Sequence, residues 1–173
     1  MSNTNLKSVC LLIGGNLGNR LENLTKSKRF IEQYLGFIQV NSSIYETAAW
    51  GFAGQPDFLN QVIIVNTLLS PIQCLEQILL IENRLGRIRT QKNAPRIIDI
   101  DILFYDDVVL NIPGLIIPHP EIQNRRFVLT PLNEISSSFE HPVLQKTIQS
   151  LLAACMDKLD VKRIIPDPHS SEI

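Results

Sequence analysis

No apolar run in this 173-residue chain approaches the roughly 20 residues a membrane helix needs. The first such run, Val9 to Ile13, is also too short for a signal-peptide core. Cysteine is scarce, and Cys10, Cys74 and Cys155 form an odd, widely spaced set with no C-x-x-C pair. That excludes a disulfide framework and a cysteine zinc site, and it points to a reducing compartment. Excess basic charge is missing too. Lys and Arg number 16 against 17 Asp and Glu, a net charge of −1, so no global field draws nucleic acid or an anionic membrane. No repeat, linker or low-complexity stretch interrupts the chain. The expectation is a cytoplasmic, soluble monomer with one domain over residues 1–165 and a loose tail over 166–173.

Hydrophobic residues, at 45%, are enough for an ordinary core. Val9 to Ile13 reads as a buried strand, broken by Gly14-Gly15-Asn16-Leu17-Gly18. Asn19 with Glu22 then offers a helix cap, Leu21, Leu24, Ile31 and Leu35 give a buried face, and Gly36 a stop. Ile38, Val40 and Ile44 alternate with Gln39, Asn41 and Tyr45 as in one strand. A glycine-rich loop with Trp50 and Phe52 leads to a strand over Phe58 to Thr67. Ser70-Pro71 with Gln73 opens a second helix, with Ile72, Leu75, Ile78 and Leu79 inward and Gly86 at its end. Ile97 to Tyr105 alternates strictly around two acids, and Asp106-Asp107 predicts a hairpin turn into Val108–Leu110. Irregular structure is expected over Asn111 to Pro120, and helices near Glu121–Leu132 and Lys146–Met156. This order predicts an α+β fold, a ferredoxin-like antiparallel sheet with helices packed on it.

Asp99-Ile100-Asp101 is the sharpest chemical feature. Residues i and i+2 of a strand share a face, about 6.5–7 Å apart at the backbone. Two carboxylates so placed can converge on hard cations, and oxygen ligands suit Mg²⁺, which completes its shell with water and phosphate. Taken alone, such a pair is more often a solvated polar face. Here Arg84, Arg87, Arg89, Lys92 and Arg96 run straight into it, and the arginine fork pairs bidentately with phosphate oxygens. A basic loop beside paired acids supplies both halves of what a magnesium triphosphate requires. The glycine run lacks the Lys-Ser/Thr ending of a phosphate loop and is not G-x-G-x-x-G, so it reads as a tight strand-to-helix turn. His119, between Pro118 and Pro120, lies six residues before Arg125, which allows a phosphate contact. No Ser-His-Asp or Cys-His arrangement points to covalent catalysis.

Several segments together resemble the 6-hydroxymethyl-7,8-dihydropterin pyrophosphokinase family. They are Ile13 to Gly18, Ser42 to Thr47, Gln55 to Asn60, Glu82 to Arg89, Pro95 to Leu103, and Pro118 to Phe127, all in collinear order. The resemblance implies transfer of the β,γ-diphosphate of ATP to the pterin's exocyclic hydroxymethyl, releasing AMP, in folate synthesis. It implies two Mg²⁺ held by Asp99 and Asp101, with Arg87 and Arg96 as catalytic arginines. Glu82, Arg89, Ile102, His119 and Arg125 match ATP positions, and Thr47, Ala48, Phe58, Asn60 and Phe127 match pterin positions. The chain departs from the pattern at Asn93, where relatives often carry an aromatic, and at Gly114 and Ile116, where some carry a cation and a hydroxyl. Lys92 or Arg126 is a candidate to replace that charge. Relatives are sometimes fused to neighbouring folate enzymes, but the length here is expected to hold one domain. The competing readings are another D-x-D metal enzyme and a non-catalytic ferredoxin-like binding module. A nucleic-acid module fits least, because the basic residues form a loop rather than a face.

Overall fold

In the computed structural model, which describes residues 5–49 and 54–164, the apolar run lies in a central strand covered on both faces. The expected tail, and Trp50 and Phe52, lie outside those residues. In β1 (Lys7–Gly15), Val9, Leu11 and Ile13 enter one core and Cys10 and Leu12 the other. Period-two alternation therefore serves two layers of helices at once. Helix α1 (Arg20–Tyr34) starts where the Asn19 side chain accepts from the Glu22 amide, and it buries Leu24, Ser27 and Ile31. Leu21, expected inward, is exposed.

The strand expected across Ile38 to Tyr45 is two strands, β2 (Gly36–Asn41) and β3 (Ile44–Thr47), both paired with β4 (Phe58–Thr67). They part at Ser42, whose Oγ accepts from the Val62 amide while its own amide donates to the Val62 carbonyl. Tyr45, expected on the polar parity, is buried because α3 packs over that face of β3, and its hydroxyl donates to Glu134 at 2.6 Å. Helix α2 (Pro71–Arg84) carries the expected capping box, but its buried stripe is Cys74, Ile78, Ile81 and Glu82. Ile72 and Leu79 are exposed, Leu79 beside an open groove. The stripe follows the i, i+4, i+7 row that meets the sheet.

β5 (Asp99–Tyr105) pairs with β1, and a register shift opposite Cys10 and Leu11 breaks the expected strict alternation. Leu103 and Phe104 consequently face one core and Tyr105 the other. Asp106-Asp107 does turn the chain, but not into a hairpin on β5. Instead β6 (Leu110–Ile112) pairs with β7 (Leu115–Ile117) as a separate two-stranded sheet inside the segment expected to be irregular. Its Pro113-Gly114 turn holds Gly114 at φ 81°, the left-handed region that disfavours a larger side chain. After a 3-10 turn (Ile122–Asn124) come α3 (Arg126–Ser136) and α4 (Ile148–Ala154). A last strand not anticipated from the sequence, β8 (Val161–Ile164), pairs with β3.

The large sheet has the antiparallel order β5-β1-β4-β3-β8, with β2 also on β4. The β1-α1-β2/β3-β4-α2-β5 path is ferredoxin-like. Helices α1 and α2 pack on one face and α3 and α4 on the other, giving three layers in one domain. Among the described residues no helix is long and apolar enough to cross a membrane.

One buried group makes stability depend on pH. His141 is 4% exposed, its Nδ1 accepts from the Val143 and Leu144 amides, and its ring meets Phe104 edge-on. Burial pushes its pKa below the ordinary 6.5. The folded state thus favours the neutral ring, and the unfolded chain takes up the proton first. The contribution is complete above about 6.5 and is lost as pH falls, and His119, also lowered, adds with the same sign. Melting temperature should drop by a few degrees more between pH 7 and 5 in the native chain than in His141→Gln, as thermal melts across that range will read.

Candidate active site

Three strands come together at Gly15, the end of β1, and at Phe58 and Asp99, the starts of β4 and β5. Register sets Gly14 opposite Asn60 of β4 on one side and Asp99 of β5 on the other, making a row across the sheet. Gly14 has to be glycine, because an added Cβ would lie 2.0 Å from Asn60 Oδ1. The missing side chain leaves the floor of a cavity of about 330 Å³. Its walls bring together Thr47, Ala48, Phe58 and Asn60 with Phe127 from the first turn of α3. Asn60 Nδ2 donates to Thr47 Oγ1 at 3.5 Å, so both are polar groups held inside the hollow. The Arg96 guanidinium lies over the Phe58 ring at 5.1 Å, and that of Arg125 over Phe127 at 5.9 Å. Flat cationic groups thus already stack on the two rings that a planar heteroaromatic would use.

The D-x-D pair projects into the same cavity, while Ile98, Ile100 and Ile102 take the opposite parity into the core. Asp99 is neutralised by two arginines. Arg87 Nη1 bonds Asp99 Oδ1, and Arg96 Nε lies 3.1 Å from Asp99 Oδ2. Glu82, on α2 and 3% exposed, anchors the other end of this network. It accepts from the Ile100 amide at 2.9 Å and pairs with Arg87 and Arg89, each at 2.7 Å. Burial pushes its carboxyl up, against the pull of the Ile100 amide and Arg87. Among the described residues Asp101 has no salt-bridge partner. Desolvation, then the negative charges of Asp99 and Glu82, push it up to about 7. His119 Nδ1 accepts from the Glu121 amide, which leaves Nε2 to carry the proton of the neutral ring. Desolvation, then Arg125, keeps its pKa low.

A second hollow, an open groove of about 890 Å³, adjoins the first. Glu82, Arg87, Arg89, Ile102 and His119 line it, and it shares Asp99 and Asp101 with the first cavity. Every residue assigned by the family resemblance therefore lies around one of two hollows that meet at the two acids, whereas Arg84 of the basic run donates to the Tyr34 hydroxyl instead. Of the substitutes considered for a lost cation, Lys92 lines the cavity, whereas Arg126 is committed elsewhere. Arg126 donates from its amide to Asp157 Oδ2 and from its side chain to the Asp157 and Cys155 carbonyls. Sequence reasoning passed over Asn16 and Gln55, which tie the surrounding loops. Their only signal was membership of the Gly14-to-Gly18 and Gln55-to-Asn60 segments.

The acids suit magnesium. Among the described residues no three His, Cys, Asp or Glu side chains form a protein-only cage. A pair of hard oxygen donors open to two hollows leaves positions for water and phosphate, as Mg²⁺ prefers. Desolvation and then the neighbouring carboxylates raise Asp101, and a bound cation would offset both.

Comparison with known proteins identifies the family. The chain is 38% identical over 144 residues to 2-amino-4-hydroxy-6-hydroxymethyldihydropteridine pyrophosphokinase of Aquifex aeolicus, covering 83% of this chain and 89% of that one. The protein of the same name in Synechocystis is 40% identical over 141 residues, covering 81% and 72% respectively. A folic acid synthesis protein of Dictyostelium discoideum is 36% identical over 98% of this chain, which spans only 26% of that longer relative. In fold, a crystal structure of Plasmodium falciparum HPPK-DHPS superposes with a TM-score of 0.74 at 19% identity, over 88% of this chain and 42% of that one. Residues 10–137, which hold every candidate site residue, match the family pattern, and the chain belongs to the 7,8-dihydro-6-hydroxymethylpterin-pyrophosphokinase family.

Proposed function

We propose that this chain transfers the diphosphate of ATP to 6-hydroxymethyl-7,8-dihydropterin in folate synthesis, as a cytoplasmic monomer. The observation that carries the reading is the meeting of two unlike hollows at Asp99 and Asp101. One is a small slot with two aromatic rings and buried amide chemistry. The other is a larger groove flanked by arginines and a neutral histidine. The three cysteines are free and buried, as a reducing compartment allows.

In this reading Phe58 and Phe127 hold the pterin plane, while Asn60 and Thr47 pair with its edge and Ala48 borders the slot. Arg89, Arg125, His119 and Ile102 receive ATP in and beside the groove. Glu82, with both oxygens engaged, acts by holding Arg87 and Arg89. The pterin hydroxymethyl oxygen bonds to the β-phosphorus, the bond from that phosphorus to the α-phosphate oxygen breaks, and AMP leaves. The hydroxyl proton passes to solvent. Asp99 and Asp101 would hold two Mg²⁺, which when bound supply charge neutralisation on the phosphates and orient the β-phosphate. Arg87 and Arg96, which pair with Asp99, lie next to the transferring group in this reading and would meet its developing charge.

The deciding measurement is the nucleotide product. Incubation with ATP, Mg²⁺ and the hydroxymethyl dihydropterin should yield AMP and the pterin diphosphate in equal amounts. ADP as the product would make this an ordinary phosphotransferase, and no turnover would favour a binding module.

A further inference from the structure

The row that crosses the sheet from Asp99 through Gly14 to Asn60 continues beyond the slot. Register sets Tyr45 of β3 opposite Asn60, and Arg163 of β8 opposite Tyr45. Ser43, Tyr45 and Thr47 share one face of their segment, since side chains repeat every two residues. Thr47 ends in the slot, whereas Ser43 and Tyr45 meet Glu134 of α3. Both oxygens of that carboxylate are engaged. Oε1 accepts from the Ser43 amide at 3.0 Å and from the Ser43 hydroxyl at 2.8 Å, and Oε2 accepts from the Tyr45 hydroxyl at 2.6 Å. Desolvation acts to raise the carboxyl, but the bonds from Tyr45 and Ser43, with the charge of Arg163, hold its pKa below the ordinary 4.5. Glu134 is therefore an anion at neutral pH, and bonds to an anion are the stronger kind. It stands exposed at the surface, directly above a Tyr45 side chain that is buried.

The same helix carries a wall of the slot. Phe127 lies seven residues before Glu134, two turns or about 10.5 Å along the axis, and so on the same side of α3. Among the described residues α3 makes its other hydrogen bonds to separate segments through Arg126, and those go to Asp157 and Cys155 beyond α4. The Glu134 bonds are thus the polar ties between α3 and the sheet, and the rest of the junction is the apolar cluster around Val62, Leu129 and Leu132. Burial of apolar surface draws a helix onto a sheet without direction, whereas three hydrogen bonds to one carboxylate fix where it stops.

We infer that Glu134 is a positioning residue for the pterin: by holding Ser43 and Tyr45 it sets Phe127 of the helix against Thr47 and Asn60 of the sheet. The inference rests on the pterin reading of the slot. A flat ring gains full contact only if its walls are held to within about 0.5 Å. The carboxylate touches neither substrate, and the acids and arginines of the nucleotide groove lie on other elements.

The test measures pterin binding by calorimetry in the full chain, with an ATP analogue carrying a methylene between the α- and β-phosphorus held at saturation. Glu134→Gln keeps the size of the side chain but offers one acceptor oxygen and no charge to three donors. It should weaken binding of the hydroxymethyl dihydropterin about five- to tenfold, and Tyr45→Phe, which removes one donor, about two- to threefold. In steady-state kinetics the pterin KM should rise by the same factors, with kcat and the ATP KM within about twofold of native. A purely structural contact would instead lower the melting temperature and leave pterin affinity native well below it. Native pterin affinity in Tyr45→Phe overturns the inference whether or not Glu134→Gln folds, and so does an equal loss of pterin and nucleotide affinity in either variant. Both results leave the functional reading standing when the native chain binds pterin, whereas a native chain that binds none overturns the two together.

Discussion

Asp101→Asn should abolish turnover and, at neutral pH, raise the melting temperature of the ligand-free protein. The carboxyl titrates near 7 in the folded chain against an ordinary 3.8, because desolvation and the charges of Asp99 and Glu82 oppose its ionisation. The unfolded chain therefore loses this proton first, and folding stability falls as pH rises from about 4 towards 7. Asparagine removes that cost but cannot supply an anionic ligand to a hard cation. Asp99→Asn should lose turnover equally and move stability the other way. It strips Arg87 and Arg96 of their shared anion and leaves Glu82 as the remaining carboxylate partner of Arg87. A loss on the order of 10³-fold or more is expected for either variant, since metal-borne charge stabilisation is worth several kcal/mol. Activity across a magnesium titration, with melts at pH 7, reads both effects. Near-native turnover in either variant would remove the two-magnesium reading. A lowered melting temperature for Asp101→Asn would mean that burial and the neighbouring carboxylates do not raise its pKa.

Arg96→Ala should lower kcat by on the order of 10²-fold, about 3 kcal/mol, with ATP affinity changed far less. This guanidinium lies against Asp99 and over the Phe58 face, so it has to leave both to meet the transferring group. A contact acquired as the transferring group develops charge appears in kcat, whereas a uniform contact appears in KM. Lysine should not restore the rate, because it lacks the planar fork that meets two phosphate oxygens at once. Steady-state kinetics with ATP varied at saturating pterin separates the cases. Preserved kcat with weakened ATP binding would make Arg96 a ground-state clamp.

The chemistry of β5 was readable from the chain because it is local. Strand period alone puts Asp99 and Asp101 on one side and Ile98, Ile100 and Ile102 on the other, whatever the strand pairs with. The caps at Asn19 and Ser70 were readable for the same reason, being contacts between residues three apart. The family resemblance then pointed to residues that spacing could not select, such as Thr47, Phe58 and Phe127.

Errors arose where a distant partner overrode a local preference. Tyr45 sits on the outward parity of its segment, yet α3 packs over that face and the Tyr45 hydroxyl reaches Glu134. Val108–Leu110 follows a genuine turn, yet Leu110 pairs with Ile117 rather than with β5. Arg126 stands next to Arg125 in sequence but is bound to the segment after α4 through Asp157. Nothing in the arginine spacing showed that Arg87 and Arg89 would share one buried glutamate from α2.

Residue order along single elements was sufficient for the helix caps, the alternating strands, the ferredoxin-like succession and the paired acids, since each depends on neighbours within a few positions. The row of Asn60, Gly14 and Asp99, the grip of Asn16 on Arg96, and the pairing of Asp99 with two arginines depend on register and packing. Those partners lie far apart in sequence, Asn16 and Arg96 by 80 residues. Hydrophobic period carries no information about which strand lies beside which, so the site came together only when the sheet did.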